Sequence, residues 1–299
     1  MATIKSITTF KHDYMRAKTG LDFKDVKAIR SSYSEYDEKG QLIKENTYFS
    51  DGKIEHQSEY KYNDNGKMVE EFLINEENEI DERKAYEYNE KGVLVKELLI
   101  YLDDSFDTIE YLYNDDGKII EKNTFDSEMN PEESKKMTYE NKLLSSENTY
   151  DAEGKMLKEI KLQYDEKGNL TQRTSLDTIE EKFLKTIYLY NEKNIVTDVL
   201  TYNSDDQLIG RSEQEANDNE QIVKIIEEDQ HNYNHIEMIY DAQNNIVEQT
   251  ETNKAGELNS KLYRKFDEEN NLIEVAVTID KHGYGLNQNY LLEYHYEYF

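Results

Sequence analysis

The chain has 299 residues, and its 65 Asp and Glu side chains against 36 Lys and Arg give a formal net charge of −29 at pH 7. So acidic a surface repels nucleic acids and anionic membranes and favours a basic partner or none at all. Solubility alone is the simpler explanation of the charge, because a long sheet needs like charges to avoid stacking. The chain contains no Cys, which excludes disulfides and thiol chemistry, and it begins without the apolar run of a signal peptide. We therefore expect a cytoplasmic protein, with secretion left open if the chain is a mature form.

The first 32 residues differ from the rest of the chain. They hold seven Lys and Arg against three Asp, a net charge of +4 that leaves −33 for residues 33–299. The pattern predicts a short strand over residues 3–10 and, from helical spacing of apolar side chains, a helix over residues 21–30. We interpret residues 1–32 as an N-terminal cap segment, because the end of a repeat array otherwise exposes an apolar side.

From Tyr36 onwards one motif recurs about every 26 residues, so residues 33–299 are interpreted as a single repeat array. The motif is an aromatic residue, Asp or Asn, two polar residues, Gly, any residue and an aliphatic residue, as in residues 164–170. A second, weaker turn lies between successive copies. The aromatic position falls at Tyr36, Tyr62, Tyr88, Tyr113, Tyr139, Tyr164, Tyr190, Ala216, Tyr240 and Phe266.

The motif predicts a β-hairpin turn. The aromatic residue ends one strand, the Asp or Asn side chain accepts a backbone hydrogen bond that starts the turn, and Gly takes a position with positive φ. The aliphatic residue then opens the next strand and pairs with the aromatic residue. Where Gly is missing the chain uses Asn, the other residue that tolerates left-handed backbone: Asn78, Asn194, Asn244 and Asn270.

Polar and apolar side chains alternate with a period of two between the turns, which indicates strands. We therefore predict an all-β fold of about twenty antiparallel strands in two-hairpin repeats, forming one curled or spiral sheet like a β-solenoid or superhelix. An irregular barrel and a long untwisted layer are the alternatives. In each case the Tyr-rich face is expected inside and the acidic face outside.

Residues 164–174 resemble a YD repeat, the unit of the Rhs family, and residues 36–42 and 150–156 are similar. With its degenerate copies the resemblance covers about residues 33–299. It implies wound β-sheets, which in that family form shells around a toxin domain or cell-surface proteins. This chain departs from the family in its short length, in lacking a Pro-rich core segment, and in ending on a strand instead of a toxin domain. A looser similarity is to MORN-like antitoxin proteins.

The sequence offers few candidates for chemistry. His231 and His235 have the four-residue spacing of a metal pair on a helix, but a turn is expected there, so a structural role is favoured. Acidic turns such as residues 63–66 and 114–117 look like calcium loops yet lack the bidentate Glu and the loop length. No phosphate loop or nucleophile motif is present. We predict no catalytic, cofactor-binding or metal-binding residues, and no enzyme.

The leading functional hypothesis is a non-catalytic binding or scaffold protein that holds a basic protein partner through its acidic surface. Its sharper form is an immunity or chaperone-like protein whose partner is a toxin. The alternatives are a structural shell or cell-surface protein, and a carbohydrate-binding module that uses exposed Tyr side chains. Nucleic acid and membrane partners are not expected, and the oligomeric state is left open.

Overall fold

The computed structural model describes residues 3–14, 27–282 and 287–299, and the regular secondary structure in them is entirely β-strand. No helix among these residues is long and apolar enough to cross a membrane. The strands are β1 (Ile4–Tyr14), β2 (Ile29–Tyr36), β3 (Leu42–Tyr48), β4 (Ile54–Tyr62), β5 (Met68–Ile74), β6 (Ile80–Tyr88), β7 (Leu94–Ile100), β8 (Phe106–Tyr113), β9 (Ile119–Phe125), β10 (Pro131–Glu140), β11 (Leu143–Asp151), β12 (Met156–Tyr164), β13 (Leu170–Asp177), β14 (Lys182–Tyr190), β15 (Val196–Tyr202), β16 (Leu208–Ala216), β17 (Ile222–Asp229), β18 (Tyr233–Tyr240), β19 (Ile246–Thr252), β20 (Leu258–Phe266), β21 (Leu272–Ile279) and β22 (Gln288–Tyr298).

The chain divides into two compact units. The first unit comprises residues 1–83 and 234–299, and the second comprises residues 84–233. In the second unit, β7 to β17 follow one another as antiparallel neighbours in chain order. In the first unit, β1 to β5 and β19 to β22 do the same.

The register of the hairpins confirms the predicted turn motif. Tyr62 lies opposite Met68 and Lys61 opposite Glu70, so one residue bulges out beside the turn. In the second unit, Tyr164 pairs with Leu170 across the turn that follows it in the same way. The four predicted Asn substitutes all have left-handed backbone: Asn78, Asn194, Asn244 and Asn270, at φ of 63°, 61°, 68° and 69°.

The predicted open or spiral arrangement is wrong, because the sheet closes on itself. The 22 strands belong to one sheet, and β1 pairs antiparallel with β22 on one side and with β2 on the other. The pairing with β22 runs from Ile4 opposite Tyr298 to Tyr14 opposite Asn289. The strand order is therefore of the closed, barrel type, and the first and last strands leave no free edges as they would in a solenoid.

The pairing of β1 with β22, here called the closure seam, contains several of the buried side chains among the described residues. Ser6, His12 and Leu291 are 1%, 5% and 4% exposed. The Nε2 atom of His12 lies 2.6 Å from Oε2 of Glu293, and the hydroxyl of Ser6 donates to Glu297 at 3.0 Å. Buried side chains with satisfied polar atoms thus join two strands that are far apart in sequence.

Outside the closure seam, both faces of the sheet are partly exposed to solvent. The accessible surface is 19417 Å², whereas a compact chain of this mass exposes about 13,000 Å². Among the described residues the buried hydrophobic side chains are Val275, Val277 and Leu291. The prediction that the tyrosines form an inner core is also wrong, because every Tyr whose side chain the structure describes is half-buried or exposed.

The predictions for the N-terminal segment are tested only in part. The predicted strand over residues 3–10 is present as β1. Most of the predicted helix over residues 21–30 lies outside the described residues, and its last two residues, Ile29 and Arg30, open β2 instead. The division into a cap segment, residues 1–32, and an array, residues 33–299, remains a prediction.

Candidate functional site

The turns that follow the aromatic position of each repeat are here called the first turns, and all except the tight turn after Tyr139 share one hydrogen-bonding scheme. In the turn after Tyr36, Oδ1 of Asp37 accepts from the backbone N–H groups of Lys39 and Gln41, both at 2.9 Å. The N–H of Gly40, which has a φ of +79°, donates to the carbonyl of Asp37 at 2.9 Å. The carboxylate or amide thus satisfies the turn backbone. The scheme recurs at Asn63, Asn89, Asn114, Asp165, Asn191, Asn217, Asp241 and Asp267.

The turn hydrogen bonds keep capping carboxylates ionised. The side-chain amide of Asn169 donates to Oδ2 of Asp165 at 2.9 Å and lowers the pKa of that carboxyl. The pKa values of Asp241 and Asp267 are lowered in the same way. A carboxyl whose pKa is lower in the folded state stabilises the fold above its unfolded pKa, and this contribution is lost as the pH falls through the lowered value.

Each first turn also carries a position that the turn itself does not use. The second residue after the aromatic position is acidic and exposed in eight of these turns, here called the acidic row: Glu38, Asp64, Glu90, Asp115, Glu166, Glu192, Asp218 and Glu268. None of these carboxylates makes a hydrogen bond or ion pair within the described parts of the chain. Adjacent first turns are two strands apart, so the row places a carboxylate about every 10 Å along an edge of each unit.

Lysines next to the acidic row neutralise it only in part. Lys167 donates to Oδ1 of Asn194 at 3.1 Å, and Lys193 pairs with Glu220 at 3.4 Å. Both ammonium groups therefore reach along the edge to the following turn. The acidic side chains two residues after the aromatic position remain directed to solvent.

The aromatic residue of the motif has a role that the sequence did not reveal. In several repeats a Tyr hydroxyl near the end of a strand donates to the carbonyl of an aliphatic residue at the start of the preceding strand, at 2.6–2.9 Å. We call these contacts the tyrosine clamps. They are Tyr62 to Leu42, Tyr113 to Leu94, Tyr139 to Ile119, Tyr164 to Leu144, Tyr190 to Leu170 and Tyr296 to Leu272. Each clamp bridges neighbouring repeats, so the motif tyrosine fixes one repeat to the next.

Other tyrosines pair with carboxylates. The hydroxyl of Tyr60 donates to Oε2 of Glu45 at 2.9 Å, and partial burial together with this carboxylate raises the pKa of Tyr60 to about 12. Tyr111 donates to Oε1 of Glu97 at 2.9 Å, and burial followed by the same type of contact raises its pKa. Neither phenol is poised to act as a base, because both hold their protons more firmly than a free phenol.

Several ring faces are covered by the protein's own cations. Lys118 lies 4.9 Å from the ring centroid of Tyr139, Lys185 lies 5.2 Å from that of Tyr202, and Lys136 lies 5.7 Å from that of Tyr150. Such contacts are attractive cation–π geometries. The Lys side chains thus cover ring faces that would otherwise be open to solvent.

The His231 and His235 pair and the two acidic turns considered as calcium loops do not form a metal site among the described residues. His231 lies in the turn before β18, and His235 lies in β18 with its Nε2 atom 3.4 Å from Glu237. Within the described ranges there is no group of three or more His, Asp and Glu side chains placed to hold a metal ion. In the two calcium-like turns, the side chains of Asn63 and Asn114 accept backbone hydrogen bonds, as turn residues do.

An open cavity of about 400 Å³ lies beside the turns after Tyr240 and Phe266. Its lining includes Arg264, Asp241 and Asp267. Both carboxylates are already engaged by their turns, and the guanidinium of Arg264 donates to Gln249 at 3.3 Å. These three charged groups of the lining are therefore already engaged by other parts of the protein.

No protein-family model matches the chain, and no curated protein matches it. Among solved structures the chain has weak similarity to TcdB2-TccC3 without its hypervariable C-terminal region, at 10% identity and a TM-score of 0.39, over 83% of this chain and 16% of that one. It also has weak similarity to porin-like proteins from Bacteroides uniformis and Bacteroides vulgatus. Their identities are 11% and 12% and their TM-scores 0.31 and 0.26, over 99% of this chain and 98% and 99% of theirs.

The predicted cytoplasmic location does not stand. It rested on the absence of Cys and of an apolar leader. The strands instead belong to one antiparallel sheet that the pairing of β1 with β22 closes, and neither sequence feature says where such a sheet resides. The cytoplasmic location is therefore withdrawn.

Proposed function

We propose that this protein is a non-catalytic binding or scaffold protein that holds a basic protein partner through the acidic edges of its repeat sheet. The observation that supports the proposal is the acidic row, in which successive first turns present an exposed carboxylate that no other group of the described chain engages. Evenly spaced charges of one sign attract an oppositely charged surface and orient it during encounter.

The repeat motif gives the proposal a finer form. Residues 164–174 resemble a YD repeat, and the tyrosine clamps give the Tyr of that motif a structural role. With the net charge of −29, this resemblance leads us to propose an immunity or chaperone-like protein whose basic partner is a toxin. The motif and the charge support this form; the partner's identity rests on the resemblance.

The two alternative functions have less support. A carbohydrate-binding surface needs aromatic faces open to a sugar ring. Several Tyr faces are instead covered by a Lys side chain, as Tyr139 is by Lys118. A shell or surface protein would assemble by stacking or by edge pairing, and the pairing of β1 with β22 leaves neither end strand open for that.

The test compares wild-type protein with a variant that neutralises part of the acidic row: Glu38→Gln, Asp64→Asn, Glu90→Gln and Asp115→Asn. The capping residues are untouched, so the turns are expected to fold normally. A basic protein recovered with the wild type should dissociate at about 0.5 M salt, where the Debye length is only a few ångströms. The neutralised variant should recover less of it.

The matched control keeps the charge and changes the side chain: Glu38→Asp, Asp64→Glu, Glu90→Asp and Asp115→Glu. It should bind like the wild type, because long-range attraction depends on charge more than on the length of the side chain. Partner recovery that is unaffected by salt, or equally strong with the neutralised variant, would count against the proposal.

A further inference from the structure

The opposite edge of the second unit carries exposed apolar side chains. We use the name tip patch for Tyr101, Leu102 and Phe106, at the β7–β8 turn, together with Met129, at the β9–β10 turn. They are 42%, 81%, 41% and 50% exposed. β8 pairs directly with β9, so the two turns lie two strands apart on the same edge, about 10 Å from each other.

The tip patch departs from the turn chemistry found elsewhere in the chain. Met129 has a φ of +65°, a backbone position that most other turns fill with Gly or Asn. An apolar side chain is strained at such a φ, and that of Met129 is only half buried in return. Leu102 occupies a position that is Glu76 or Ser127 in the neighbouring turns of this kind. Neither Leu102 nor Met129 is explained by folding of its own hairpin.

The chain segments that form the tip patch carry acidic side chains and no basic ones. In sequence, Lys96 and Lys118 are the nearest basic residues on either side of the β7–β8 turn. Lys122 and Lys135 bracket the β9–β10 turn in the same way. Hydrogen bonds from Ser105 lower the pKa of Asp103, so that this carboxylate beside Leu102 stays ionised in mildly acidic solution.

We propose that the tip patch is a docking site for a cationic amphipathic segment of a partner protein, with its apolar side on Leu102 and Met129 and its Lys or Arg side chains on the surrounding carboxylates. This inference rests on the proposed function and names the surface and the chemistry of the partner. An anionic membrane or nucleic acid is repelled by the same carboxylates, and a second copy of this acidic chain is repelled as well.

The test uses the full chain and a variant whose turns follow the pattern of the others, Leu102→Ser with Met129→Asn. Because Asn tolerates left-handed backbone, this variant is expected to be at least as stable as the wild type. The control variant, Leu189→Ser with Ile239→Ser, removes two leucine-sized side chains that are 44% and 54% exposed away from the patch. Unfolding curves confirm that all three proteins are folded.

The probes are a synthetic helical peptide with Leu on one face and Lys on the other, and a peptide of the same composition in which the two are mixed around the helix. Fluorescence anisotropy at low salt should show tighter binding of the first peptide to the wild type and to the control variant. The tip variant should bind it at least about tenfold more weakly, since two apolar side chains lose their burial.

Equal affinity of the wild type and the tip variant for the amphipathic peptide would overturn the inference, while salt-sensitive binding of both peptides would still favour the proposed function. Absence of binding by either peptide would overturn the inference and also weaken the proposed function. Binding to vesicles of neutral phosphatidylcholine that is lost in the tip variant, without peptide binding, would replace the partner protein with a lipid surface.

Discussion

The closure seam and the repeats of the second unit join neighbouring strands by different means. In the seam, β1 meets β22 through buried side chains such as Leu291 and through the pair formed by His12 and Glu293. Among the described residues of the second unit, the buried side chains are the small polar residues Thr108, Thr149 and Ser175, and hydrogen-bonded turns and tyrosine clamps connect the strands.

The difference follows from the length of chain that separates the paired strands. A short turn closes a hairpin at small cost in chain entropy, so its strands need little burial to stay together. β1 and β22 are separated by nearly the whole chain, and their pairing must offset a larger loss of entropy. The closure seam therefore contains buried side chains such as Ser6 and Leu291, and local hydrogen bonds connect the strands of the repeats.

The largest expected effect is in the seam. Leu291→Ala should lower the free energy of unfolding by about 2–5 kcal/mol, because it leaves a cavity at a buried leucine. Leu189→Ala in the second unit, where the side chain is 44% exposed, should change it by less than about 0.5 kcal/mol. Urea unfolding followed by circular dichroism measures both values.

Hydrogen exchange sharpens the same comparison. In Leu291→Ala the amides of β1 and β22 should exchange faster than in the wild type, while those of β12 to β16 change little, because the lost packing lies in the first unit. A uniform rise across both units, or equal destabilisation by the two leucine substitutions, would contradict the distinction between seam and repeats.

The next effect concerns a turn of the second unit. Gly168 has a φ of +88°, so Gly168→Ala should cost about 1–2 kcal/mol. Gly210 lies within β16, and a Cβ there would meet that of Thr201 at an ordinary 3.9 Å. Gly210→Ala should therefore be neutral or stabilise the protein by up to about 1 kcal/mol. Thermal unfolding of the two variants measures the contrast, and a greater loss in Gly210→Ala would refute it.

The turns were predictable from sequence because their chemistry is local. Asp37 and Gly40 lie within one motif, and each has a conformational preference that the structure confirms. The positive φ of Met129 was not predictable, since it runs against the preference of its residue type. Closure was not predictable either, because the pairing of Ile4 with Tyr298 joins opposite ends of the chain and no local pattern marks it.

The role of the tyrosines was misjudged for a physical reason. Composition treats Tyr as an apolar ring and places it in a core, whereas the motif Tyr is retained for its hydroxyl as well, which reaches a carbonyl of the previous repeat, as Tyr164 does at Leu144. The signal was present in the sequence, because the position prefers Tyr to Phe or Leu in most repeats. An apolar core position would not distinguish a phenol from a phenyl ring.

The smallest expected effect concerns the tyrosine clamps, which connect neighbouring repeats. Tyr164→Phe removes the hydroxyl that donates to the carbonyl of Leu144 at 2.9 Å and should cost about 1 kcal/mol. The matched control is Tyr150→Phe, also in the second unit. The Tyr150 hydroxyl makes no hydrogen bond within the described residues, so its removal should cost less than about 0.5 kcal/mol.

Combining two clamp substitutions tests whether the clamps stabilise the repeats independently. Tyr164 and Tyr190 belong to successive repeats and donate to different carbonyls. The double variant Tyr164→Phe with Tyr190→Phe should therefore lose the sum of the two single effects to within about 0.5 kcal/mol. Urea unfolding of the four proteins gives the cycle. A loss well beyond the sum would mean that neighbouring clamps act as one cooperative network, and the repeats would then depend on long-range contacts as the closure seam does.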